Sequence, residues 1–202
     1  PSLRISNNPT FPSSALPSKT VCEESGVAIF STYASGFNVY AHTYQWQEAF
    51  ADTDIFTDIS DSEVFGGTNT TVLRVTDPKA NKNGNKYRLT VIGCQETITS
   101  NEATLTVLTT PIITKSPSSQ SICSGESVTL SALATGENIR YQWYMDDGDG
   151  YHLITGYLTS PDYTLNNTPA NYNGNKFKCV ASAPSPCHTT LTAESFEATL
   201  TV

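Results

Sequence analysis

The last six residues, Glu197-Ala198-Thr199-Leu200-Thr201-Val202, repeat Glu102-Ala103-Thr104-Leu105-Thr106-Val107 letter for letter. A chain that ends both of its halves on the same sequence is constrained to build one structure twice. The other landmarks keep step. Tyr44-Gln45-Trp46 recurs as Tyr141-Gln142-Trp143, 97 positions later, and these hold the only two tryptophans. Asn83-Gly84-Asn85-Lys86-Tyr87 recurs as Asn173-Gly174-Asn175-Lys176-Phe177. A period of about 100 residues is that of whole domains, each with its own core, and not of a solenoid whose repeats depend on one another. The boundary is expected near Leu108 to Pro111, giving domains over 1–108 and 109–202. Pro111 fixes its own φ and restricts Thr110, so the two are expected to line up end to end with limited bending.

Within each copy the apolar residues alternate with polar ones, the period of a strand with one buried face. Tyr44 and Trp46 fall on one face with Gln45 on the other. Tyr87, Leu89 and Val91 alternate inward, as do Ala103, Leu105 and Val107, and in the second copy Val128, Leu130, Ala132 and Ala134. Val27 and Ile29 open a similar run that loses phase through Phe30-Ser31-Thr32-Tyr33, which predicts a bulge. The chain is 38% hydrophobic and only 15% charged, and rich in Thr, Ser, Asn and Tyr. That composition suits an all-β protein. Trp46, Trp143, Tyr87 and Phe177 are the expected core anchors. About seven short strands per copy, with a tryptophan on the third, describe an immunoglobulin-like sandwich. In that fold Tyr87 is expected to donate its hydroxyl to backbone near the preceding turn, which Phe177 cannot do.

The detailed pattern resembles the immunoglobulin-like domains strung along secreted and surface proteins of Bacteroidetes bacteria. The residues that carry the resemblance are Val21-Cys22, Ile122-Cys123-Ser124-Gly125-Glu126-Ser127-Val128-Thr129, Tyr44-Gln45-Trp46-Gln47, the two Asn-Gly-Asn turns and Ser100-Asn101-Glu102 leading into the closing strand. The resemblance implies a non-enzymatic extracellular module, a spacer or adhesin segment of a large surface or secreted protein. Its partners would be neighbouring domains of the same parent chain and a surface glycan or protein ligand, with the chain itself a monomer and no cofactor needed. The alternative is an accessory polysaccharide-binding region of an extracellular enzyme.

Five cysteines are present. Cys22 matches Cys123 across the repeat, and Cys94 matches Cys187. Cys179 has no counterpart, because Leu89 stands in its place. The usual inter-sheet bridge would need a cysteine at Ala132. The expected disulfides are therefore Cys22–Cys94 and Cys123–Cys187, with Cys179 a buried free thiol. Two bridges imply an oxidising compartment.

Net charge is −8, from 19 acidic and 11 basic residues. That disfavours nucleic acid, whose affinity comes mainly from Lys and Arg on phosphate. No apolar run approaches a membrane span. His42, His152 and His188 are scattered, with no catalytic or metal spacing. Asp146, Asp147 and Asp149, interleaved with Gly148 and Gly150, are a weak calcium candidate, against which stands ordinary Asp-Gly turn chemistry. Tyr33, Tyr40, Tyr144, Tyr151 and Tyr157 are candidates for an aromatic contact surface or for cross-strand packing.

Overall fold

The structure is a computed structural model that describes residues 10–12, 15–36, 42–93, 96–136 and 138–202. The chain divides into two compact units, Pro1–Leu108 and Thr109–Val202. Each is an all-β sandwich.

In the first unit the strands are β1 (Lys19–Cys22), β2 (Val27–Ser31), β3 (His42–Ala49), β4 (Thr57–Asp58), β5 (Phe65–Gly66), β6 (Val72–Thr76), β7 (Lys86–Gly93), β8 (Thr97–Thr99) and β9 (Ala103–Leu108). The larger sheet runs β1-β9-β7-β3-β4, with β8 also on β7, and the smaller runs β2-β6-β5. β1 lies parallel to β9, and β3 runs antiparallel to β7 with Trp46 opposite Leu89. The inner faces meet in a core of Phe30, Trp46, Leu73, Val75, Tyr87, Leu89, Val91 and Leu105. The Phe30 ring bridges Trp46 and Tyr87, with centroids 6.5 and 5.0 Å away.

The second unit repeats the plan with β10 (Ile113–Lys115), β11 (Gln120–Ser121), β12 (Val128–Ser131), β13 (Leu133–Ala134), β14 (Arg140–Asp146), β15 (Tyr151–Leu153), β16 (Asp162–Leu165), β17 (Lys176–Ser182), β18 (Thr192–Glu194) and β19 (Ala198–Thr201). Its larger sheet runs β11-β19-β17-β14-β15, with β18 on β17; β12 pairs with β16, and β10 with β13. Trp143 is fully buried and stacks on Tyr163 at 5.9 Å.

The repeated Asn-Gly-Asn turns clamp the closing strands. Asn83 Oδ1 accepts from Val107 N, and Asn173 Oδ1 from Val202 N. Gly84 N donates to Leu105 O and Gly174 N to Leu200 O. Both glycines have positive φ, +83° and +88°. A Cβ at Gly84 would stand 2.8 Å from Ala51 Cβ, whereas at Gly174 the space is open. Backbone strain is therefore common to both sites and a clash is added only at the first. Gly84→Ala is expected to cost about 1–2 kcal/mol and Gly174→Ala less, measured by denaturant unfolding. Equal losses would show that the Ala51 contact relaxes freely.

Three expectations need correction. On β2 the inward residues are Ala28 and Phe30, while Val27 and Ile29 face out at about two-fifths exposure. The first inward residue, Ala28, stands one position further from Cys22 than Val128 does from Cys123, although both strands begin at the same distance from their cysteines. A one-residue offset turns every side chain to the other face.

The Tyr87 hydroxyl does not reach backbone. It donates to Glu48 Oε1 at 2.7 Å. Glu48 lies two residues after Trp46 on the same inward face, and its carboxylate also receives Lys82 Nζ at 2.8 and 2.9 Å and Asn85 Nδ2 at 2.9 Å. Burial, then the Glu48 charge, pushes the Tyr87 phenol far up. In the second unit the matching residues are Met145, Phe177 and Tyr172, and Asn175 Nδ2 meets only Met145 Sδ.

The Cys123–Cys187 bridge is not formed. Cys123 is an exposed free thiol, whereas Cys187 is in a disulfide. Cys123 follows Ile122, whose N–H bonds Thr201 O at the end of β19, beside the start of β17. Cys187 lies past the other end of β17. Seven residues of strand separate the two ends by roughly 20 Å, far beyond the ~7 Å that a disulfide spans. Cys22 is also in a disulfide. It stands opposite Leu108, while Gly93 ends β7 at the far end of the sheet. Cys94 lies outside the described residues. Cys179 is a buried free thiol opposite Trp143, and burial pushes its pKa up to about 12.

Candidate recognition face

Inward residues alternate with outward ones, so each larger sheet presents an ordered outer face. In the second unit that face carries Gln142 and Tyr144 from β14, Lys176, Lys178 and Val180 from β17, Tyr151 from β15 and Glu194 from β18. The antiparallel register sets Tyr144 opposite Lys178 and Asp146 opposite both Lys176 and Tyr151. Lys178 Nζ lies 4.6 Å from the centre of the Tyr151 ring and 5.9 Å from that of Tyr144. It also pairs with Glu194 at 2.8 Å. Tyr151 donates its hydroxyl to Glu197 at 2.9 Å, and Lys176 pairs with the same carboxylate. Desolvation, then the bond to Glu197, pushes the Tyr151 phenol up to about 12. The Lys176 and Tyr151 hydrogen bonds hold the Glu197 carboxyl below its usual value.

The first unit repeats the device with different letters. Arg88 takes the place of Lys178, and its guanidinium lies 3.8 Å over the Phe56 ring. Phe56 immediately precedes β4, where Tyr151 opens β15. Arg88 Nε donates to Gln47 Oε1 at 2.8 Å, and Gln47 Nε2 donates to Asp58 Oδ1 at 2.7 Å. Thr90 and Thr99 pair their hydroxyls alongside. Each unit thus holds a cation on its central strand over an aromatic ring at the start of its edge strand, Phe56 just before β4 and Tyr151 as the first residue of β15. Such a contact contributes about 0.5–1 kcal/mol at an exposed site. It also fixes a long side chain that would otherwise lose entropy on meeting a partner.

Of the tyrosines expected to form an aromatic surface, Tyr144 and Tyr151 converge on Lys178. Tyr157 sits apart, edge-on to the His188 ring at 5.5 Å, and Tyr33 is exposed elsewhere on the first unit. Tyr40 lies outside the described residues. Lys178, Arg88 and Phe56 escaped the sequence reading. The signal was there in the repeat alignment, which keeps a cation at 88 and 178 and an aromatic at 56 and 151. Asp146 Oδ1 accepts from Gly148 N at 2.9 Å and Gly150 N at 3.0 Å, so its carboxylate closes the turn. Among the described residues no three acidic, His or Cys side chains converge as a metal site. No helix among them is long and apolar enough to cross a membrane.

The fold is that of tandem immunoglobulin domains. The solved structures it is similar to include DIP-gamma IG1+IG2, at 15% identity, covering 98% of this chain and 99% of that one with a TM-score of 0.56. A structure of Dpr11 IG1 bound to DIP-gamma IG+IG2 matches at 17% identity over 97% of this chain and 99% of that one, with a TM-score of 0.53. The N-terminal eight Ig domains of the Down syndrome cell adhesion molecule match at 18% identity over 96% of this chain and 26% of that one, with a TM-score of 0.52. No protein-family model and no curated protein matches the sequence.

Proposed function

We propose that this chain is an extracellular, non-enzymatic recognition module, a segment of an adhesin-type surface protein that meets a protein ligand through the outer faces of its larger sheets. The observation that carries this reading is the cation held over an aromatic ring in both units, Arg88 on Phe56 and Lys178 on Tyr151. Arg and aromatic residues are the types enriched in protein interfaces. Disulfides at Cys22 and Cys187 support an oxidising compartment. The likeness to a solved complex of two such Ig chains supports a protein, and not a small molecule, as ligand. The resemblance to Bacteroidetes surface modules supports a bacterial parent protein. Tyr144 and Tyr151 also keep a polysaccharide-binding role in view, since tyrosine faces serve sugars as well as proteins.

Probing immobilised chain against an array of cell-surface and matrix proteins beside a glycan array tests the reading. It predicts a protein hit weakened at least tenfold by Arg88→Ala or by Tyr151→Ala. A glycan hit lost with Tyr151→Ala would assign the accessory role instead. Binding that neither substitution touches would show that this face is not where the ligand sits.

A further inference from the structure

Every ion pair among the described residues is made by a lysine: Lys79, Lys82, Lys86, Lys176 or Lys178. The described arginines, Arg74, Arg88 and Arg140, take no carboxylate, although the chain carries 19 acidic residues against 11 basic ones. Arg88 alone among them is held in one pose. β7 sets it opposite Gln47, its Nε donates to Gln47 Oε1 at 2.8 Å, and its guanidinium lies 3.8 Å over the Phe56 ring. The carboxylates of the neighbouring segments are committed elsewhere. Asp58 accepts from Gln47 Nε2, and Asp54 and Glu102 both turn to Lys86. The Nη donors of Arg88 are thus left without a protein acceptor among the described residues. In the second unit the matching cation, Lys178, already holds Glu194 at 2.8 Å.

We infer that Arg88 is a carboxylate-binding point, and that the protein meeting the first unit places an Asp or Glu side chain on its Nη donors. The inference rests on the outer face being the surface of recognition, as proposed above. A partner that covers this face strips water from those donors. A guanidinium buried without an acceptor is costly, and a neutral acceptor would leave its charge uncompensated. A carboxylate meets both needs, because its oxygens match the planar fork in parallel charge-assisted bonds. Phe56 and Gln47 hold the fork before the partner arrives, so little side-chain freedom remains to be lost. Gln47 is itself steadied by Thr90 Oγ1 at 3.3 Å. A polyanion is a poorer occupant. With a net charge of −8, and with Asp54, Asp58 and Glu102 on the same unit, each charge beyond the first would meet repulsion. The second unit has no such point, since Glu194 already neutralises Lys178, and it contributes Tyr144 and Tyr151 as contact surface.

Selection of a random peptide display library on the full chain tests this, with counter-selection on Arg88→Ala. Peptides held by the parent and lost on Arg88→Ala are expected to share an Asp or Glu at one position. Changing that residue to Asn or Gln should weaken binding to the parent at least about tenfold, the range of a hydrogen bond to a charged group, and hardly change binding to Arg88→Ala. Arg88→Lys keeps the charge and loses the fork, and should weaken the same peptides at least about fivefold. Arg74→Ala removes an arginine from the smaller sheet and should bind as the parent does. Hydrogen exchange of the β7 amides shows that each variant is folded. Arg88-dependent peptides with no acidic position overturn the carboxylate and leave the recognition face standing. An Arg88-dependent hit on a uronic acid of the glycan array, with no acidic peptide recovered, assigns the carboxylate to a sugar and overturns the protein partner. Peptides that bind Arg88→Ala as well as the parent, or a library from which no binder is enriched, overturn the inference outright.

Discussion

Glu48→Ala is expected to destabilise the first unit by about 3–5 kcal/mol, among the largest effects of any single substitution in the chain. The carboxylate is nearly buried and receives Tyr87, Asn85 and Lys82. Removing it leaves a largely buried ammonium and a buried hydroxyl without their acceptor, and each would have to stay desolvated or drag the turn open. The second unit shows the other solution. There Met145, Tyr172 and Phe177 fill the same volume without a charge. Transplanting that set, Glu48→Met with Lys82→Tyr and Tyr87→Phe, should bring stability back to within about 1 kcal/mol of the parent or above it, because a buried ion pair often does no better than packed apolar groups. Hydrogen exchange of the β7 amides reads the first unit alone. A triple variant as unstable as Glu48→Ala would show that the network itself, and not the avoidance of orphaned groups, holds that end of the sandwich.

The second large effect concerns the tryptophans. Truncating either to Ala should cost about 3–5 kcal/mol, the usual loss for a large core aromatic. Replacement by Phe separates them. Trp46 Nε1 donates to Thr70 O at 2.9 Å, so Trp46→Phe leaves a carbonyl without its donor. Trp143 Nε1 is buried with no hydrogen-bond partner. Trp143→Phe deletes a polar atom that was already unsatisfied, and the smaller ring keeps most of the stacking on Tyr163. Trp46→Phe is therefore expected to cost at least about 1 kcal/mol more than Trp143→Phe in denaturant unfolding. The reverse order would mean that the Trp143 N–H finds a partner in solution.

The architecture was legible because its determinants are periodic and repeated. Alternation at Tyr87, Leu89 and Val91 can be read one strand at a time, and the duplicated landmarks multiply the signal. What escaped depends on register. Ala28 and Phe30 face inward because the phase of β2 is set one position later from Cys22 than that of β12 is from Cys123, an offset that alternation alone does not flag. Glu48 was passed over because a carboxylate on a core face looks like a phase error until Tyr87 and Lys82 are seen to meet it. Matching Cys22 to Cys123 and Cys94 to Cys187 across the repeat leads to an expected Cys123–Cys187 bond within the second copy, but matching says nothing of distance, and the length of β17 stands between them. The recognition face lay between these cases. Tyr144 and Tyr151 stood out as aromatics, while Lys178 and Arg88 became visible only once β14 and β17 were set side by side.

One self-sufficient sandwich is used twice, each built on its own tryptophan. Separate expression of Pro1–Leu108 and Thr109–Val202, followed by denaturant unfolding with tryptophan fluorescence and hydrogen exchange, tests it most directly. Each half is expected to unfold in one cooperative transition, with a buried, blue-shifted tryptophan whose emission shifts to the red on unfolding. A half that is unfolded alone, or whose tryptophan is already solvent-exposed, would contradict it.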